Sequence, residues 1–122
     1  MYTFSRLSTR YNNEIADPTQ TDCHYVLADL FNETDPELDE NHYARNPTVW
    51  FSVGHIEVDY APFYTIEVNR YGMARFQYWP RTSEKPEFEY RAPVTESDAR
   101  MLWDSLHRRK IDTLIAWFLA QG

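Results

Sequence analysis

The chain has 122 residues, 43% hydrophobic and 16% aromatic, enough for one packed core and too apolar for a disordered acidic tail. Its net charge is −7, and a single cysteine, Cys23, excludes an internal disulfide and suits a reducing compartment such as the cytosol. Three glycines leave no Gly-rich nucleotide loop, no apolar run approaches the ~20 residues that span a bilayer, and MYTFSRLSTR lacks an apolar signal-peptide core, so a cytoplasmic protein without membrane association is expected.

Tyr2, Phe4 and Leu7 suit a short first strand, and the polar run from Asn12 to Thr21 reads as loop. From Asp22, apolar residues Val26, Leu27, Leu30 and Phe31 recur at helical spacing, with Thr21 or Asp22 as cap; Tyr25, Leu27 and Phe31 leave a strand as the alternative. Asp35, Pro36 and Glu37 match the cap and first turn of a short helix ending before Asn46-Pro47. In VWFSVGHIEVDY, Val49, Phe51 and Val53 share one parity and Ile56, Val58 and Tyr60 the other, so a bulge at Gly54 is expected to put both sets on one face.

Pro62 to Arg91 has the period-2 signature of an antiparallel meander: Tyr64, Ile66 and Val68, a turn at Asn69-Arg70-Tyr71-Gly72, then Ala74, Phe76 and Tyr78, then Phe88 and Tyr90 between charges. Near Pro93 the period changes to 3.6. Thr95 is the expected cap of a helix with a stripe of Asp98, Met101, Leu102, Ser105 and Leu106, and basic residues His107 to Lys110 at its C-terminal end. Ile111, Leu114, Ile115 and Phe118 follow as a second helix or a continuation past a kink. The expectation is one α+β domain over residues 1–122, with an antiparallel sheet of four or more strands over about 49–91 and the C-terminal helices on one face.

The charge is unevenly placed. Between Tyr11 and Arg45 stand nine acids against Arg45 alone, a balance of −8, while residues 46–122 carry ten acids and nine bases. That stretch is unsuited to a phosphate backbone, so direct nucleic-acid binding is not expected and a cationic protein partner is.

Motifs for chemistry are sparse. Cys23 and His24 are neighbours and do not face each other as nucleophile and base, so Cys23 reads as a structural thiol. Histidines 24, 42, 55 and 107 lack metal-ligand spacing, and the acidic run at Asp35 to Asn41 lacks the central glycine and distal glutamate of a calcium loop. Neither a metal nor a cofactor is expected. Glu57, Asp59, Glu67, Glu87 and Glu89 read as solvated strand positions paired with Arg70, Arg75, Arg81 and Arg91. Asn32-Glu33-Thr34 matches a glycosylation sequon, without weight absent a secretory signal. Among Tyr43, Trp50, Tyr60, Tyr71, Tyr78 and Trp79, the last sits at a strand end and Tyr71 in a turn, as binding anchors do.

Together the length, the acidity concentrated in one segment, the aromatic content and the lack of a catalytic motif resemble the immunity proteins of bacterial polymorphic toxins. The resemblance implies a cognate toxin domain with a basic surface as partner, and inhibition by occluding its active site. Asp29, Glu33, Asp35, Glu37, Asp39, Glu40, Tyr43, Tyr71 and Trp79 are the expected contact residues. A small enzyme with a cleft between sheet and helices, or a regulatory adaptor subunit, is the alternative.

Overall fold

The computed structural model describes residues 4–9, 13–32, 48–54, 62–80 and 85–121. Six strands are present, β1 (Phe4–Ser8), β2 (Glu14–Ala16), β3 (Thr48–Gly54), β4 (Phe63–Asn69), β5 (Met73–Trp79) and β6 (Phe88–Pro93), with helices α1 (Gln20–Phe31), α2 (Glu96–His107) and α3 (Ile111–Gln121). The strands form one antiparallel sheet in the order β2-β1-β3-β4-β5-β6. The α+β class and the meander are as the periodicity predicts. Six strands meet the expectation of four or more, and the sheet reaches N-terminal of the expected 49–91 span because β3 pairs with β1 as well as with β4.

Cross-strand register lines up a single apolar row: Ile15, Leu7, Phe51, Ile66, Phe76 and Tyr90. Beside it runs Val49, Val68, Ala74 and Ala92. The helices cover this face. Trp103 of α2 is completely buried, its ring 5.8 Å from Phe51, and its indole N–H donates to the Ile66 carbonyl at 3.2 Å. Phe118 of α3 stacks over Phe76 at 5.7 Å. Cys23, Val26, Leu27 and Leu30 of α1 complete the same cluster.

Both long helices start with a reciprocal capping box. Asp22 N–H donates to Thr19 Oγ1 at 3.1 Å and Thr19 N–H to Asp22 Oδ2 at 2.9 Å; Thr95 and Asp98 repeat this at 3.1 and 3.0 Å. The cap of α1 is therefore Thr19, not the expected Thr21 or Asp22, and the helix begins inside the stretch read as loop. That stretch also holds β2, three residues whose single apolar side chain, Ile15, was too little for period-2 reading. The expected stripe of α2 is displaced as well. Ala99, Leu102, Trp103 and Leu106 are buried, whereas Asp98 serves the cap and Met101 is exposed.

α2 and α3 are separate helices. Lys110 N–H reaches back to Ser105 O and Arg109 N–H to Leu106 O, both at 2.9 Å, a Schellman closure with Arg109 at φ 57° where glycine is customary. Arg109 is retained there by its guanidinium, which donates to the carbonyls of His107 at 2.7 Å and Phe4 at 3.3 Å; burial lowers its pKa. The β4–β5 turn is as expected. Gly72 has φ 83°, and Asn69 Oδ1 accepts from Tyr71 and Met73 N–H at 3.0 and 3.1 Å.

Gly54 has a different reason from the one its sequence position suggests. It is the last residue of β3, opposite Phe4 of β1, and an added Cβ would fall inside contact distance of the Phe4 ring. Ile56, Val58 and Tyr60, the second set in the expected bulge, lie outside the described residues, as do Tyr2 and the short helix expected from Asp35.

Replacing Trp103 with Ala should cost about 3–5 kcal/mol in chemical denaturation, because it empties the centre of the helix–sheet interface. Replacing Thr95 with Ala should cost about 1 kcal/mol. Gly54→Ala should destabilise the wild-type chain more than a Phe4→Ala background, and equal costs in a double-mutant cycle would show that Phe4 is not the reason for glycine.

Candidate functional site

The strand residues of opposite parity form the outer face of the sheet. There the register places Ser8, Trp50, Glu67, Arg75 and Arg91 in one row and Arg6, Ser52, Thr65, Gln77 and Glu89 in the next. Phe63 and Trp79 pair beyond them, rings stacked at 6.2 Å.

Seven of these side chains, Trp50, Glu67, Arg75, Gln77, Trp79, Glu89 and Arg91, form one connected network. Trp50 Nε1 and Arg75 Nη2 both donate to Glu67 Oε2, at 2.7 and 2.6 Å. Arg75 Nη1 lies 3.8 Å from Glu89 Oε1, which also accepts from Gln77 Nε2 at 2.6 Å. Trp79 Nε1 donates to Gln77 Oε1 at 3.2 Å, and Arg91 Nε to Glu89 Oε2 at 2.9 Å. Thr65 is buried, and Ser52 Oγ donates to its Oγ1 at 3.0 Å. The glutamates thus pair with arginines as expected for Glu67, Glu89, Arg75 and Arg91. Arg70 lies over the Tyr71 ring at 4.9 Å. A charge-assisted bond to Glu67 holds the Trp50 indole and a neutral one to Gln77 holds that of Trp79, and Trp and Arg are residue types that dominate binding hot spots.

The helix layer has a second polar cluster. His24 Nε2 lies 3.2 and 3.3 Å from the two Asp104 carboxylate oxygens, so the carboxylate accepts and Nε2 carries the proton. Gln20 Nε2 donates to Asp104 Oδ2 at 3.0 Å. At the other end of α1, Asn32 Nδ2 donates to Glu96 Oε1 at 2.7 Å, and Arg100 to Glu96 Oε2 at 2.7 Å. α1 and α2 are therefore antiparallel and tied at both ends. Cys23 lies beneath this layer, 3% exposed; burial, then Asp104 and Asp22, push its pKa up to about 12. A thiol so placed is held protonated and is a poor nucleophile.

Three of the expected contact residues are among the described ones, and they lie apart. Asp29 is half-buried on α1, in the helix layer. Tyr71 is 72% exposed at the β4–β5 turn. Trp79 is on the outer face at the opposite end of β5, about 20 Å from that turn at ~3.3 Å per residue. Glu33, Asp35, Glu37, Asp39, Glu40 and Tyr43 lie outside the described residues, as do His42, His55, Glu57, Asp59, Tyr60 and Arg81. Of the other acids in the −8 stretch, Asp22 is spent on the cap of α1 and Glu14 lies 3.9 Å from Arg6. Trp50 and Gln77 join the outer-face network only through strand pairing; their strand parity was the available signal, but not their partners.

Among the described residues, no group of three or more His, Cys, Asp and Glu side chains is placed to hold a metal ion, and no helix is long and apolar enough to cross a membrane. Comparison with family models, curated proteins and solved structures gives no match for this chain.

Iodoacetamide at pH 8 should modify Cys23 of the folded protein about a thousandfold more slowly than the unfolded chain, since burial pushes the thiol pKa from 9.0 up to about 12. The folded-state pKa exceeds the unfolded one, so the contribution of Cys23 to stability is intact below about 9 and is lost as the pH climbs toward 12. Wild type should accordingly lose stability with a slope steeper than Cys23→Ala by up to about 1.4 kcal/mol per pH unit in that window. Parallel slopes would mean the thiol ionises freely in the fold.

Proposed function

We propose that the chain is an inhibitory binding protein of the immunity type: it neutralises a cognate toxin domain in the bacterial cytoplasm by covering a cationic active site. The observation that carries this reading is the charge distribution, −8 between Tyr11 and Arg45 in a chain whose remaining residues are near neutrality. Solubility alone is served as well by dispersed charge. Five of those acids, at positions 33 to 40, follow directly after Asn32, which is bonded to Glu96 at the start of α2. The acidic stretch thus departs from a fixed point of the fold, which favours oriented capture of a basic partner. Packing supports the same reading: the space between sheet and α2 is filled by Phe51, Ile66 and Trp103, all fully buried, so the described helix–sheet interface is core rather than cleft.

Capture of the partner from the native host, followed by association kinetics, tests the proposal. Reversing Glu33, Asp35, Glu37, Asp39 and Glu40 together should slow association at low salt tenfold or more, within the roughly 10–10³ range of electrostatic steering. The difference should shrink at about 1 M salt, where the Debye length is about 3 Å. An unchanged on-rate rejects the electrostatic mechanism; an acidic partner, or turnover of a small molecule by the isolated chain, rejects inhibition altogether. Tyr71→Ala should raise the dissociation rate while changing stability by less than about 0.5 kcal/mol, because its side chain is exposed. Trp79→Ala should also lower stability, because Trp79 is stacked on Phe63 and bonded to Gln77.

A further inference from the structure

The two ends of the sheet differ in charge and in what they expose. One end gathers the start of β3, the β4–β5 turn, the end of β6 and the start of α2. Thr48 pairs with Asn69 there, Met73 with Pro93, and Gly72 O accepts from Val94 N–H at 2.8 Å. Asn32, the C-terminal cap of α1, is bonded to Glu96 at the same end. At the other end the register lines up Phe4, Gly54, Phe63 and Trp79. Arg109 donates to the Phe4 carbonyl, so exposed Arg108, Arg109 and Lys110 belong to that end.

This polarity fixes where the acidic stretch meets the fold. Residues 33–47 carry Glu33, Asp35, Glu37, Asp39 and Glu40 against Arg45. The described residues flanking them, Asn32 and Thr48, both stand at the end with the β4–β5 turn. Five acids are thus attached on both sides to one end, while three bases are held at the other, about 20 Å away along β3 at ~3.3 Å per residue.

The acid-bearing end also exposes apolar surface. Of the large apolar side chains exposed among the described residues, Tyr25, Met101 and Leu119 stand singly on three helices, whereas Tyr71 and Met73 stand together. One side chain holds both in place: Asn69 Oδ1 accepts the N–H groups of Tyr71 and Met73. Arg70 lies over the Tyr71 ring, and exposed Pro93 is opposite Met73. Single exposed apolar residues are ordinary, but three at one end of a sheet mark an interaction surface. Tyr, Met and Arg are enriched at protein interfaces, and a turn ordered in advance loses little entropy on binding.

We propose that this end is the seat of a basic protein partner, with Tyr71, Met73 and Pro93 as its apolar contact and the flanking acids as its steering field. The occupant is the one the inhibitor reading requires, so the inference rests on that reading. Charge selects the orientation from both directions: the acids attract a basic surface to this end, and Arg108, Arg109 and Lys110 repel it from the other.

Two measurements test it. In the first, the isotopically labelled full chain is titrated at low salt with a synthetic peptide of alternating lysine and tryptophan, and amide shifts are followed by NMR. The shifts should concentrate at Tyr71, Gly72, Met73 and Glu96, and spare Gly54, Phe63 and Arg109. Reversing the five acids should abolish them. In the second, dissociation of the partner captured from the host is timed. Tyr71→Ala with Met73→Ala should speed it by about tenfold or more, with an unchanged circular dichroism spectrum because both side chains are exposed. Arg108→Glu with Lys110→Glu, at the other end, should change it by less than about twofold. Peptide shifts at the opposite end, or none anywhere, overturn the proposal. A basic partner indifferent to Tyr71 and Met73 overturns the seat and leaves the inhibitor reading standing; an acidic partner overturns both.

Discussion

The fold depends on the seating of Trp103. Its ring occupies the centre of the helix–sheet interface against Phe51, and its one polar atom has an acceptor, the Ile66 carbonyl in a central strand. A buried indole without that bond would pay the desolvation of its N–H, on the order of 1–3 kcal/mol. The bond therefore sets both the depth and the direction of α2. Once α2 is placed, α1 follows through Asp104 and Glu96, and α3 follows through the short closure at Arg109.

The same geometry separates the two faces of the sheet. One face is apolar because the row from Ile15 to Tyr90, with Val49, Val68, Ala74 and Ala92 beside it, runs under the helices. The outer face has tryptophans, arginines and glutamates at matching register, and their polar atoms are largely satisfied by one another. Such a network specifies register as well as stability, since a slip of one residue would put Arg75 and Glu67 into the core. The Arg75–Glu67 contact at 2.6 Å is the tightest of its ion pairs, with the glutamate side chain 17% exposed. Aromatic and arginine side chains held by hydrogen bonds are the residue types that dominate binding hot spots, and the proposed inhibitory reading can draw on them as well as on the acidic stretch.

Charge and packing contribute to that reading at different stages. In the proposed complex, the acids at 33 to 40 would act at long range on the rate of encounter, whereas exposed Tyr71 and the outer face would bear on how long the complex lasts. Tyr71 and Trp79 stand at opposite ends of β5, so a partner contacting both must span the length of the strand.

The sequence by itself determined the local elements whose signals are short-ranged. Period 2 from Phe63 to Tyr90 marked three strands, Gly72 marked the turn, and Thr95 marked the start of α2, because each depends on residues within a few positions. It placed the charge asymmetry too, which is a property of composition. Only the tertiary structure decided which residues meet. Trp103 was an unremarked position until its partner carbonyl, 37 residues away, came under it. β2, with one apolar side chain, exists because β1 offers it a ladder, and Gly54 is glycine because Phe4 crosses there. Met101 is exposed because helical spacing defines a stripe but the neighbouring layer decides which side of it is buried, whereas Asp22 and Asp98 are held by local capping boxes.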